Sequence, residues 1–267
     1  MAKKQLGALA ALGAAIAIAI AMTASLAQAA QCGDTAQGFE AWKQDFAAEA
    51  KSSGIKPKAI AALMGTRYSV GTIRVDRAHK GFNLSLSAFM AKRGAAGIAA
   101  KGKSLKKANA ALFASIQKQH GVPPGPLIAI WGMETGFGSF TGNQNMLSAI
   151  ATLAYDCRRS EYFTDHLYAA LKLIDRGVLS ASTRGAMQGE VGQTQFLPKN
   201  ILLYGSGNLN SKADALVSTA RFLKAHGWVA GAGYQPGQTN FAAIQGWNAA
   251  SVYQQAIAII GKQIDEN

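Results

Sequence analysis

An isolated acid in an apolar segment is the first feature of this 267-residue chain whose chemistry stands out. Glu134 closes the run Pro126-Leu127-Ile128-Ala129-Ile130-Trp131-Gly132-Met133, and no other Asp or Glu occurs among residues 77–133. A carboxyl packed beside Trp131 and Met133, at the negative end of a helix dipole, is pushed toward its protonated form. A general acid needs such a proton near neutral pH. A polar residue that merely ends a helix would show the same spacing, so Glu134 alone decides nothing. Residues 185–198, GAMQGEVGQTQFLP, add weight. Gln188, Gln193 and Gln195 stand there among glycines, a composition suited to hydrogen-bonding a sugar-rich ligand in a cleft and foreign to a simple core helix.

Other motifs carry less. Residues 97–104, GIAAKGKS, match the phosphate-loop spacing of glycine, four residues and Gly-Lys-Ser. That chemistry needs a buried strand before the loop and a magnesium-binding acid on another strand. Phe89 to Arg93 is basic and loop-like, so no nucleotide is expected. Lys92, Arg93, Lys101, Lys103, Lys106 and Lys107 are read as a solvated basic face, open to an acidic polymer. His79, His120, His166 and His226 have no metal-ligand spacing, and Tyr204-Gly205-Ser206-Gly207 lacks the nucleophile-elbow pattern. No metal, cofactor or serine-hydrolase chemistry is expected.

The elements that must position these groups are mostly helical. Phe39, Trp42 and Phe46 recur at helical spacing, with Gly54 as a stop and Pro57 opening another segment. Ser104 precedes Leu105, Ala108, Leu112 and Ile116, predicting a capped helix that ends at Gly121. The segment from Pro126 to Glu134 is apolar on all sides and predicts a buried helix. Further helical patterns run through Tyr162 to Ile174, Leu216 to Leu223 and Tyr253 to Ile260. Only Thr239 to Gln245 and Leu84 to Leu86 look extended, giving a mostly α fold with at most a small β element. Residues 227–237 are glycine-rich and predict a loop. Tryptophans at helical spacing usually pack in cores, which is the expectation for Trp42, Trp131 and Trp228.

Lys and Arg number 27 against 14 Asp and Glu, a net charge of +13 that favours an anionic partner. At the N-terminus, Lys3 and Lys4 precede an apolar run from Leu6 to Met22 and the Ala27-Gln28-Ala29 cleavage pattern, predicting a signal peptide over 1–29. Cleavage leaves 25 basic against 14 acidic side chains, so the charge belongs to an exported protein. An uncleaved anchor is the competing reading of that run. In an oxidising compartment, the only two cysteines, Cys32 and Cys157, are expected to form one disulfide.

Taken together, several segments resemble the lytic murein transglycosylases of the membrane-bound B type, a cell-wall family with a lysozyme-like catalytic core. The resemblance rests on Gly121-Val122-Pro123-Pro124, Ile130-Trp131-Gly132-Met133-Glu134-Thr135, Ala151-Thr152-Leu153-Ala154-Tyr155-Asp156, Gly192-Gln193-Thr194-Gln195-Phe196-Leu197-Pro198 and Phe222-Leu223-Lys224-Ala225-His226-Gly227-Trp228. A weaker echo lies at Asn240-Phe241 and at Trp247-Asn248-Ala249-Ala250-Ser251-Val252-Tyr253. The likeness spans about residues 32–264, as one catalytic unit would. It implies a single domain over 30–267, with a helical lobe at about 34–120 and a catalytic core at about 121–267.

The resemblance implies that Glu134 is the single catalytic acid and base. It places Gln195 in the cleft wall, and assigns Gln193, Phe196, Tyr155, Trp247 and Asn248 as substrate-binding candidates. The implied substrate is the peptidoglycan glycan strand, with neither nucleic acid nor nucleotide as partner, and the implied location is the periplasm. Recruitment by cell-wall or secretion machinery is left open. Many relatives place serine where Ala186 stands and carry a calcium-loop-like insertion after the position of Tyr204. Here residues 205–210 are short and lack the oxygen ligands that the ion needs. Two other readings remain at this level. One is a hydrolase that uses a second carboxylate, Glu190 or Asp156; the other is a non-catalytic wall-binding protein with Glu134 structural.

Overall fold

Thirteen α-helices and one two-stranded ribbon form the regular structure of the computed structural model, which describes residues 30–78 and 84–266. The predicted signal segment, 1–29, and His79 lie outside the described residues. Phe39, Trp42 and Phe46 form the buried stripe of α1 (Phe39–Ser52). Pro57 opens α2 (Pro57–Met64), its fixed φ suiting a first helical turn, and α3 (Val70–Ala78) follows. Lys43 on α1 is fully buried, and its Nζ donates to the carbonyls of Met64 at 3.1 Å and Thr66 at 2.8 Å. It thereby satisfies orphan carbonyls at and just past the end of α2.

Two sequence expectations are corrected in the next stretch. Leu84 to Leu86 is not extended: Ser85 caps α4 (Leu86–Arg93), its hydroxyl accepting from the Ala88 N–H, so the polar–apolar alternation is a cap. Ser104 is not a cap either, because it lies inside α5 (Ala95–Ala108), which breaks at Asn109 before α6 (Ala110–His120). The phosphate-loop-like residues 97–104 are therefore helical. Their Gly102 serves packing instead, since a Cβ there would lie 2.6 Å from the Ile264 side chain.

At the centre is α7 (Pro124–Thr135), buried nearly all round as its composition requires. It is held between α5 and α13 (Ser251–Asp265). Backbones touch where α7 crosses α13: a Cβ on Gly125 would sit 2.3 Å from the Gly261 carbonyl oxygen. Beyond it, β1 (Gln144–Asn145) pairs antiparallel with β2 (Arg184–Gly185), Gln144 opposite Gly185. Between these strands run α8 (Met146–Tyr155) and α9 (Ser160–Asp175), packed on each other.

The chain closes with α10 (Pro198–Tyr204), α11 (Lys212–Ala225) and α12 (Phe241–Trp247) before α13. The predicted extended segment Thr239 to Gln245 is thus mostly helix α12. Ala243 and its neighbour Ile244 are both buried, which a two-residue alternation would not allow. Ahead of it the glycine-rich residues form the expected loop, folded around Asn240. The side-chain oxygen of Asn240 accepts from the Val229 N–H, and its amide donates to the carbonyls of Val229 and Ala232.

One continuous apolar cluster runs from Phe39 to Ile264. The Cys32–Cys157 disulfide, with Cα atoms 5.0 Å apart, ties the N-terminal end to the turn after α8. Among the described residues no helix is long and apolar enough to cross a membrane.

Candidate active site

Glu134 is the penultimate residue of α7, carried to the end of a rigid, buried helix. Its Oε1 accepts two hydrogen bonds, from Trp247 Nε1 at 3.0 Å and from the Tyr253 hydroxyl at 2.8 Å. Burial pushes the carboxyl above the usual carboxylate range. The two hydrogen bonds and the Arg93 charge pull it back down, and the Glu190 charge adds to the rise. An indole N–H and a phenol O–H both donate, so Oε1 serves as the acceptor oxygen. A proton on this carboxyl therefore sits on Oε2.

The carboxyl opens into a cavity of about 450 Å³, also lined by Gln195, Phe196, Phe222, His226, Trp247 and Asn248. Trp247 packs edge-on to Phe196 and Phe222, with ring centres 5.4 and 5.0 Å away. Phe222 in turn stacks on His226 at 3.8 Å. Asn248 takes part in the start of α13, its side-chain oxygen accepting from the Ala250 N–H.

The glutamine segment forms a tight hairpin. Val191 and Phe196 exchange backbone hydrogen bonds, and Gln195 sits between them at φ +56°, a left-handed conformation rare for a residue with a Cβ. Such strain is typically retained where a side chain must be aimed. The Gln195 amide donates to the Gly192 carbonyl at 2.8 Å, which fixes its orientation in the wall. Thr135, next to Glu134, donates to the Gln193 carbonyl at 2.6 Å, so acid and hairpin are tied by one bond.

Two candidates fall elsewhere. Gln193 does not line the cavity; its oxygen accepts from Trp131 Nε1 at 2.8 Å and its amide donates to the Asn210 carbonyl at 2.6 Å. Both ends are thus spent bracing α7 against the 208–210 loop. Tyr155 is 3 % exposed and packs with Phe39, Trp42 and Tyr68, outside the cavity. A motif residue next to a disulfide-anchored turn is there to fill the core.

Sequence reasoning missed Tyr253, taken there as one apolar position of a helix, and gave no role to Tyr162, Asn200 and Phe222, all in the cavity wall. Of the two alternative carboxylates, Glu190 lines the cavity. Asp156 is buried and paired with Arg77 at 2.6 Å, outside it. Trp42, Trp131 and Trp228 are core residues, 4–6 % exposed, as their spacing predicts.

Comparison with known proteins identifies the family and the fold. A family model described as the transglycosylase SLT domain matches residues 38–237. Over 121 residues the chain is 36% identical to membrane-bound lytic murein transglycosylase B of Escherichia coli strain K12. That stretch is 42% of this chain and 34% of the relative, so the match spans about a third of the relative's length. SltB3 from Pseudomonas aeruginosa, crystallised with NAG-anhNAM-pentapeptide, superposes with a TM-score of 0.79 at 25% identity, covering 86% of this chain and 80% of that one. The Escherichia coli lytic transglycosylase Slt35, in complex with bulgecin A, gives 0.74 at 22% identity over 89% and 96% of the two chains. At that identity the second match shows the fold alone.

Proposed function

This chain belongs to the transglycosylase SLT domain family, and from that premise we propose that it is a lytic murein transglycosylase acting on peptidoglycan glycan strands in the periplasm. The bond cleaved is that between N-acetylmuramic acid and N-acetylglucosamine, without net addition of water. The observation that carries this reading is the state of Glu134, a half-buried acid with a raised pKa whose Oε1 is occupied by two donors, set in a polar cavity. The raised pKa favours the protonated form, and the proton is offered from Oε2.

In the first step Oε2–H protonates the glycosidic oxygen as the C1–O bond breaks, and the substrate's own acetamido carbonyl supports the developing cation. Glu134 is now a carboxylate, and the Trp247 and Tyr253 donors stabilise it where the charge develops. In the second step it removes the proton from the muramyl C6 hydroxyl, whose oxygen bonds to C1 and closes a 1,6-anhydro ring. The nucleophile belongs to the same sugar, so effective molarity replaces the second carboxylate most glycosidases need. Glu190 shares the cavity and raises the Glu134 pKa, which favours the acid form without itself moving a proton.

Gln195, Phe196 and Asn248 are proposed as substrate contacts, on the strength of their place in the cavity wall. The test is mass spectrometry of the soluble fragments released from peptidoglycan sacculi by the purified mature protein, with Glu134→Gln alongside. Products ending in 1,6-anhydro-muramic acid, absent from the variant, are expected. Reducing muramic ends would replace the proposal with hydrolysis, and release by Glu134→Gln would remove Glu134 from its role.

A further inference from the structure

The excess positive charge is concentrated on one part of the surface. Residues 77–133 hold nine Lys and Arg and no acid, whereas the rest of the chain holds 18 Lys and Arg against 14 acids. Seven of the nine stand on α4–α6, packed outside α7, whereas Arg77 belongs to α3 and Lys80 lies outside the described residues. Lys92, Lys101, Lys107 and Lys118 are exposed. The described ion pairs all lie outside α4–α6. Many of the exposed residues between these cations are small, among them Ala96, Gly97, Ala100, Ser104, Ala108 and Ala111, which leaves the lysines open to an approaching polymer.

This face comes close to the proposed active site without lining its cavity. Arg93, at the end of α4, lies over the ring of Tyr253, the residue that donates to Glu134, and its charge acts on Glu134. Lys101 on α5 lies over Phe137, three residues beyond Glu134, at 4.9 Å. At the far end of α5, Lys106 donates to the terminal carbonyls of α13 at Ile264 and Asp265. Cations thus extend from beside Tyr253 and Phe137 along a helix about 20 Å long by its 1.5 Å rise.

We propose that α4–α6 form a second, non-catalytic contact surface for an extended, carboxylate-bearing glycan–peptide polymer, the same strand whose bond is cut in the cavity. This rests on the transglycosylase reading for the identity of the polymer. Charge complementarity selects the partner. Lysine is a point charge without the planar fork that reads one anion geometry, so a lysine-rich face whose own helices carry no acid suits many spaced carboxylates rather than one defined ligand. Proximity to Glu134, on which the Arg93 charge acts, favours the strand bound there over an unrelated anionic surface. Attraction of this kind is screened by salt.

The experiment is co-sedimentation with purified peptidoglycan sacculi across ionic strength, on a Glu134→Gln background so that the sacculi stay whole. It compares that protein with one also carrying Lys92→Gln, Lys101→Gln, Lys103→Gln and Lys107→Gln. Circular dichroism and thermal melting of both confirm that the added changes leave the fold intact. Weakening of sacculus binding by about tenfold at low salt, with a shallower salt dependence, is expected. Equal binding and equal salt dependence of the two proteins would overturn the inference. So would charge-dependent binding to anionic phospholipid vesicles that exceeds binding to sacculi. If the four-lysine protein does not fold, the same comparison is made with Lys101→Gln and Lys107→Gln only. Release of anhydro-muramyl products by the wild type is assayed separately, so a failure of this surface and a failure of the enzymatic reading give different results.

Discussion

Two aromatic clusters in this protein pack alike and do different work. Under α1, Phe39, Trp42, Phe46, Tyr68 and Tyr155 pack ring to ring, with neighbouring centres 5.1–6.2 Å apart. At the cavity, Phe196, Phe222, Trp247 and His226 pack with similar geometry. The difference lies in the polar atoms. The Tyr155 phenol oxygen meets the Gly38 backbone amide. By contrast, the Trp247 indole and the Tyr253 phenol both address the ionisable Glu134. The Tyr155 ring is part of the scaffold, whereas the Trp247 and Tyr253 rings lower the pKa of Glu134 against its burial.

The largest expected effect separates the two regions cleanly. Glu134→Gln keeps an acceptor for Trp247 and Tyr253 but has no proton to give, and turnover of sacculi is expected to fall about a thousandfold. The same change should raise stability above the carboxylate range of pH. A carboxyl whose folded pKa lies above its unfolded value contributes stability at pH below the unfolded pKa, and this is lost as pH rises through the folded pKa. The melting temperature of Glu134→Gln relative to wild type should therefore increase from acid to neutral pH. A parallel pair of melting curves across pH would show that the acid is not perturbed.

Next in size is Trp42→Ala in the closed cluster, where loss of a buried indole is expected to cost about 3–5 kcal/mol. The folded fraction should retain wild-type kcat. A matching loss of kcat would show that the two clusters are coupled. His166, buried on α9 with Nδ1 accepting from the Lys199 N–H, has its pKa lowered to about 4 by burial. Its stabilising contribution is complete above its unfolded pKa of about 6.5 and is lost as pH falls toward 4, an acid sensitivity of up to about 3 kcal/mol. Chemical denaturation of His166→Gln across that window should show a flatter dependence than wild type.

The parts legible in the sequence were those set by local pattern. The all-round apolar run predicted the buried α7, the amphipathic stripe predicted α1, and the isolated acid singled out Glu134, which lines the cavity. Helix ends inside the alanine- and lysine-rich stretch 95–120 were not legible, because those residues favour helix throughout and the break at Asn109 leaves no stronger mark than Ser104 does. Nor was the role of Lys43, whose burial depends on two carbonyls more than twenty residues away. Tyr155 and Tyr253 exchanged roles for the same reason. Both lie on apolar helix faces, and only the fold decides that one phenol meets a backbone amide while the other, 119 residues from Glu134, reaches its carboxyl.

That exchange gives the sharpest comparison at the smallest scale, since one substitution removes one oxygen from each cluster. Tyr253→Phe leaves Glu134 with a single donor. The carboxylate loses stabilisation, its pKa rises further, and the alkaline limb of the kcat/KM profile should move to higher pH while kcat falls about tenfold. Trp247→Phe should act in the same direction, its ring still packed on Phe196 and Phe222. Tyr155→Phe removes a partner of the Gly38 amide and should cost about 1 kcal/mol of stability, leaving the pH profile where it was. Should Tyr155→Phe shift the alkaline limb as far as Tyr253→Phe does, the division between scaffold rings and tuning rings fails.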